Sequence, residues 1–200
     1  GEQERCLELF LGLYQRTPGE FQIGSISNML FMALGCQQLP QPLISRLVDH
    51  FHTLAERALA GTGAAAAMAP SPPLPLQVQE RPLLIVSSAD LRNHPVGRFW
   101  LPIARQLPSH FRVIHVAGHP RDQDGIRSEL RQLSDDWWPL EPSGLAATAA
   151  RIRGHQPSLL LDLGGHTADN HPAFLSQRLA TVQATYLGFY GPTYARCCDW

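Results

Sequence analysis

The chain has 200 residues, 44% of them hydrophobic and 16% charged, with a formal net charge of −1; this suits one sizeable core with a helical appendage and excludes a disordered chain. Its sixteen basic residues are all arginine and lie scattered, so there is no basic stripe to neutralise a phosphate backbone, and nucleic acid is not expected as a partner. No apolar run reaches bilayer length, the start Gly1-Glu2-Gln3 is not a signal peptide, and Cys6, Cys36, Cys197 and Cys198 lack zinc or disulfide spacing; no membrane partner and a reducing, cytoplasmic setting are expected.

Residues 1–59 read as helical. Leu7, Leu9, Phe10, Leu11 and Leu13 predict a buried helix over 3–15, ended by Thr17-Pro18-Gly19. A second is expected from Ser27, as its cap, through Met29, Leu30, Phe31 and Leu34 to Gly35. The third follows Pro40 and Pro42: Leu43, Ile44, Leu47, Val48, Phe51, Leu54, Ala55 and Ala58 recur at helical spacing, opposite Arg46, Asp49, Thr53, Glu56 and Arg57. His50 and His52 are expected on its solvated side. Residues 60–80 turn to Ala, Gly and Pro, with too little apolar surface to offset ordering entropy, and read as a mobile linker.

From Arg81 the pattern changes to alternation. Strands are predicted at 83–87, 111–116, near 138–140, at 159–163 and at 182–187, separated by helical stretches at 95–107, 124–133 and 143–153 and by a helix or loop at 172–178. Strands separated by helices imply an α/β fold with a Rossmann-like, mostly parallel, doubly wound sheet over 81–200.

No G-x-G-x-x-G, P-loop or G-x-S-x-G motif is present. Three other loops follow predicted strands, so a parallel sheet would bring them to one edge: the turn Asp90-Leu91-Arg92-Asn93-His94-Pro95, the loop Asp162-Leu163-Gly164-Gly165-His166-Thr167, and Leu187-Gly188-Phe189-Tyr190-Gly191-Pro192-Thr193. Pro95 sits at a natural first helical position, capped by Asn93 or His94. The paired glycines would let the backbone approach a ligand closely. Each loop also has a plain structural reading, as a helix cap, a local hydrogen bond by His166, or a turn. Together they favour a site.

The segments from Ser87 to Gly97, Leu160 to Thr167 and Val182 to Gly188 resemble, in order and spacing, three signature segments of the O-linked N-acetylglucosamine transferase and SPINDLY-like family. Residues 25–59 resemble more weakly the helices that join that family's tetratricopeptide repeats to its catalytic part. The resemblance implies the N-terminal lobe of a GT-B fold and inverting transfer of N-acetylglucosamine from UDP-GlcNAc, without metal or cofactor, to Ser or Thr of a protein or peptide acceptor. By position, Asp90 corresponds to a proposed proton acceptor, and Asn93, His94 and Pro95 to the active-site turn. Gly165 and His166 fall in the second segment, and Leu187 and Gly188 correspond to backbone against the donor sugar. The catalytic role is assigned to His94 and Asp90 jointly; a further family histidine corresponds to His50 or His52.

Two positions depart from the family. Arg98 stands where many members carry a second histidine, and Gly188-Phe189-Tyr190-Gly191-Pro192-Thr193 replaces Gly-Tyr-Pro-Gly-Thr. The chain begins without Met and stops at Trp200 with no closing helix; it reads as a piece of something longer, whose nucleotide-binding second lobe would follow. Two alternatives stand beside this reading: a non-catalytic protein-interaction module, and an O-fucosyltransferase using GDP-fucose.

Overall fold

The computed structural model describes residues 2–36, 40–60, 80–118, 124–140 and 144–200. The linker expected over 60–80 lies almost wholly outside them. Three helices come first: α1 (Glu2–Arg16), α2 (Ile23–Ala33) and α3 (Gln41–Ala60). The remainder alternates: β1 (Leu83–Ser88), α4 (Pro95–Ala104), β2 (Arg112–Ala117), α5 (Gly125–Gln132), β3 (Asp136–Pro139), α6 (Leu145–Gly154), β4 (Leu159–Asp162), a 3₁₀ segment Pro172–Ser176, and β5 (Val182–Thr185).

The five strands form one sheet in the order β3-β2-β1-β4-β5, every neighbouring pair parallel. The chain runs outward from β1 through β2 to β3, then returns to the other side of β1 for β4 and β5. The order therefore reverses between β1 and β4, and in an open parallel sheet the crevice beyond the carboxyl ends at that point is where ligands bind. Ser87 is in register with Asp162 at this edge.

Alternation along the strands decides which helices cover which face. Leu83, Ile85, Ile114, Val116 and Leu160 share a core with α1–α3 and α6; Leu84, Val86, Val113 and Ala117 pack with Val96, Trp100 and Leu101 of α4 and Leu130 of α5. Both faces are thus buried, which is why β1 is apolar for four residues without a polar break. The N-terminal helices contribute Leu7, Met29, Leu47 and Phe51 to the first core.

Two expectations need correction. The second helix starts at Ile23, with Gln22 at the N-cap position, so Ser27 lies inside the helix and does not cap it. His52 is not solvated: it is 3% exposed, and burial pushes its pKa down. Residues 48, 52, 55 and 59 form one flank of α3, and the Tyr194 backbone hydrogen-bonds His52 there.

Candidate active site

β1 ends in Ser88, and the chain then turns tightly before α4. Arg92 N–H donates to Asp90 O (2.8 Å) and His94 N–H to Arg92 O (2.7 Å). Pro95 opens the helix, where its missing N–H costs nothing. His94 is the N-cap: its Nδ1 accepts from Val96 N–H at 3.3 Å. The turn is pinned from α5, because Asp124 caps that helix through Arg127 N–H (2.9 Å) and also accepts from Asn93 N–H (2.8 Å). Arg98, at the departure from the family pattern, donates to Asn93 Oδ1 (2.9 Å) and holds that exposed side chain in place.

Asp90 is 8% exposed. Its Oδ2 accepts from Asn170 (3.2 Å), while Oδ1 faces the Arg92 guanidinium at 3.5 Å and His94 Nδ1 at 3.8 Å. The acid and the imidazole of the predicted pair are therefore neighbours. With Nδ1 accepting from Val96, the neutral ring carries its proton on Nε2. For Nε2 to take up a proton, Nδ1 must instead bear hydrogen, and Asp90 Oδ1, 3.8 Å away, is the carboxylate oxygen it faces.

The third predicted loop joins the same edge. Gly188 packs on the Leu163 carbonyl and on Val96 in the first turn of α4; a Cβ at 188 would lie 2.0 Å from Leu163 O. Leu187 before it is held at φ 75°, a left-handed conformation that a bulky residue keeps only where its surroundings impose it.

The second loop behaves differently from expectation. The close approaches its glycines permit are made by protein: a Cβ at Gly164 would meet the Asn170 side chain at 2.0 Å, and one at Gly165, where φ is +53°, would meet Phe189 at 2.6 Å. His166 turns inward and is 0% exposed. Its Nε2–H donates to Thr193 O (2.9 Å), so Nδ1 accepts from the Ser27 hydroxyl (2.8 Å), and the ring lies edge-on to Phe51 and Phe189. Burial holds its pKa down at about 4, which keeps it neutral. In this conformation His166 ties α2 to the lobe and is closed to a ligand. Nor is either α3 histidine tied to the turn by a contact among the described residues: His50 bonds Tyr14 (3.1 Å), and His52 bonds the Tyr194 backbone.

Asp162, which begins the second loop, is 2% exposed. Its Oδ2 accepts from Gly165 N–H (2.6 Å), whereas Oδ1 and the adjacent Ser87 Oγ make no hydrogen bond among the described residues. Burial pushes its pKa up to about 6 against the pull of the Gly165 and Gly164 N–H groups.

A cleft of about 450 Å³ opens beside these loops, lined by Gln22, Ser27 and Asn28 of the α2 region, Leu145 of α6, and Thr167 and Asn170. Asn170 thus borders the cleft and touches Asp90. Sequence reading missed it: a buried asparagine in a loop has no local signature. Among the described residues no group of three or more His, Cys, Asp or Glu is gathered as a metal site, and no helix is long and apolar enough to cross a membrane.

No protein-family model and no curated protein matches the chain. A solved structure does: a mutant of the Thermobaculum terrenum O-GlcNAc transferase, 25% identical, with a TM-score of 0.73 over 100% of this chain. The chain spans 36% of that protein's length. The fold is therefore glycosyltransferase-like, a Rossmann-like lobe of GT-B type.

Proposed function

We propose that the chain is the N-terminal lobe of an inverting protein O-glycosyltransferase that moves N-acetylglucosamine from UDP-GlcNAc to a Ser or Thr hydroxyl. Residues 1–59 form its helical flank, 60–80 the linker and 81–200 the lobe. The observation that carries this reading is the Asp90–His94 pair, Oδ1 to Nδ1 at 3.8 Å, on the switch-point edge of a lobe similar to an O-GlcNAc transferase. At that edge the acceptor hydroxyl oxygen attacks the anomeric carbon as the bond to the nucleotide breaks. The diphosphate leaves with the electron pair, and the hydroxyl proton passes to His94 Nε2. The ring acts in its Nδ1–H tautomer, whose hydrogen bond Asp90 Oδ1 accepts, and the carboxylate balances the imidazolium that forms. Leu187 and Gly188 present backbone to the donor sugar, and Asn93 and Pro95 belong to the turn whose helix starts against Gly188 at Val96. The cleft beside Asn170, lined by the amides and hydroxyls of Gln22, Asn28 and Thr167 together with Asp169 and His171, receives the acceptor peptide.

The test incubates the native full-length protein with UDP-GlcNAc or GDP-fucose and a Ser/Thr peptide library, with peptide mass read by mass spectrometry. The expected result is an N-acetylhexosamine adduct from the uridine donor alone. A deoxyhexose adduct reassigns the donor. No adduct from either, with binding to peptides intact, favours an interaction module and overturns the reading.

A further inference from the structure

One side chain both lines the cleft and touches Asp90. Asn170 is 8% exposed and uses both ends of its amide. Oδ1 accepts from Ala89 N–H (2.8 Å) and from the Ser88 hydroxyl (3.2 Å); Nδ2 donates to Asp90 Oδ2 (3.2 Å), Thr167 Oγ1 (2.9 Å) and Ala168 O (3.2 Å). Its orientation is fixed by backbone: Ala89 N–H can only donate and Ala168 O can only accept, so the amide cannot be flipped. Ser88 Oγ in turn accepts from Asp90 N–H (3.0 Å), so main chain and carboxylate of Asp90 hang on one network.

That network decides how the carboxylate plane is turned. An aspartate's terminal torsion is broad and its two oxygens are equivalent, so without a partner the plane is free to turn away from the imidazole. Asn170 claims Oδ2 and so leaves Oδ1 toward Arg92 and His94. We infer that Asn170 is the positioning residue of the transfer step, holding the Asp90 carboxylate in the rotation that presents Oδ1 to the His94 imidazole. The inference rests on the transferase reading above. It extends the site to a residue 80 positions away in sequence, on the loop after β4.

The experiment is a double-mutant cycle in the native full-length protein, read as kcat and donor KM at a temperature where circular dichroism shows every variant folded. Asn170→Ala should lower kcat by about 10²-fold, the cost of a reacting group misplaced by about 1 Å, with donor KM little changed. In an Asp90→Ala background the same substitution should cost less than about threefold, because the group it positions is gone. Losses that multiply in the double mutant, or a kcat for Asn170→Ala within twofold of wild type, overturn the proposal, since a merely structural asparagine would act alike in both backgrounds. If Asn170→Ala does not fold, Asn170→Asp serves in its place: it keeps both acceptor bonds and loses the donor bonds, and the same coupling is required of it. A wild-type protein that transfers no sugar overturns the transferase reading and this inference with it; active wild type with uncoupled losses overturns this inference alone.

Discussion

Asp162→Asn is expected to stabilise the folded protein at neutral pH, although it removes a hydrogen-bonded carboxylate from the centre of the sheet edge. The carboxyl is buried, and its pKa is raised from the ordinary 3.8 to about 6. Below pH 3.8 it is protonated in both folded and unfolded chains. As pH rises toward 6 the unfolded chain ionises first, so stability falls across that window and the loss is complete above it; a rise of that size corresponds to about 3 kcal/mol. The amide is nearly isosteric. Its oxygen still accepts from Gly165 N–H, and its NH₂ replaces a carboxylate oxygen that likewise has no hydrogen-bond partner among the described residues. Replacing the charge-assisted bond from Gly165 by a neutral one returns part of the gain, leaving about 1–3 kcal/mol at pH 8. The gain should shrink to nothing near pH 4. Buried His115 and His166 and half-buried His171, held at about 3, about 4 and about 4, destabilise the fold as pH falls below 6.5. They are common to both proteins and cancel in the difference. Urea midpoints for the two proteins between pH 4 and 8 provide the measurement. A less stable Asp162→Asn protein at pH 8, or a difference independent of pH, refutes the reasoning.

Gly97→Ala should destabilise even though alanine is the better helix former: its methyl would sit 2.1 Å from Arg92 O and 3.0 Å from Asp90 O, so overpacking of about 1–3 kcal/mol outweighs a propensity gain of about 1 kcal/mol or less, and an unchanged or raised unfolding midpoint would count against the tight turn. His94→Asn retains a capping acceptor for Val96 N–H but no imidazole, so it should keep wild-type stability and lose about 10²- to 10⁴-fold in turnover; normal transfer kinetics would reduce His94 to a cap. Ser27→Ala leaves buried His166 Nδ1 without its donor and should cost about 1–3 kcal/mol, read by calorimetry, with donor KM unchanged; a neutral midpoint would mean that the hydroxyl adds nothing to the α2 attachment.

What could be read from the residues divides by the range of the contacts that decide it. Strand and helix alternation after Arg81 was legible because Leu83 to Val86 is buried on both faces and the following helices repeat at their own period; those are local patterns. Pro95 and His94 were legible for the same reason, since a cap and a first-turn proline are decided within four residues. Ser27 was misread as a cap because serine satisfies that local rule well, whereas its hydroxyl is engaged by His166, 139 residues away. His52 was misread because Asp49, Thr53 and Glu56 around it are polar, and nothing on α3 shows that the Tyr194 backbone will hydrogen-bond it there. The glycines at 164 and 165 announced a close approach without naming what approaches; sequence suggested a ligand, and the space is filled by Asn170 and Phe189. The pattern has a physical cause: once a parallel sheet brings loops from distant strands to one edge, the partners of each polar side chain are chosen by topology and not by neighbours in the chain. Asp90 could be paired with His94 because the two share one turn. Asn170 reaches Asp90 from the loop after β4, so the local pair was legible while the long-range contact to it was not.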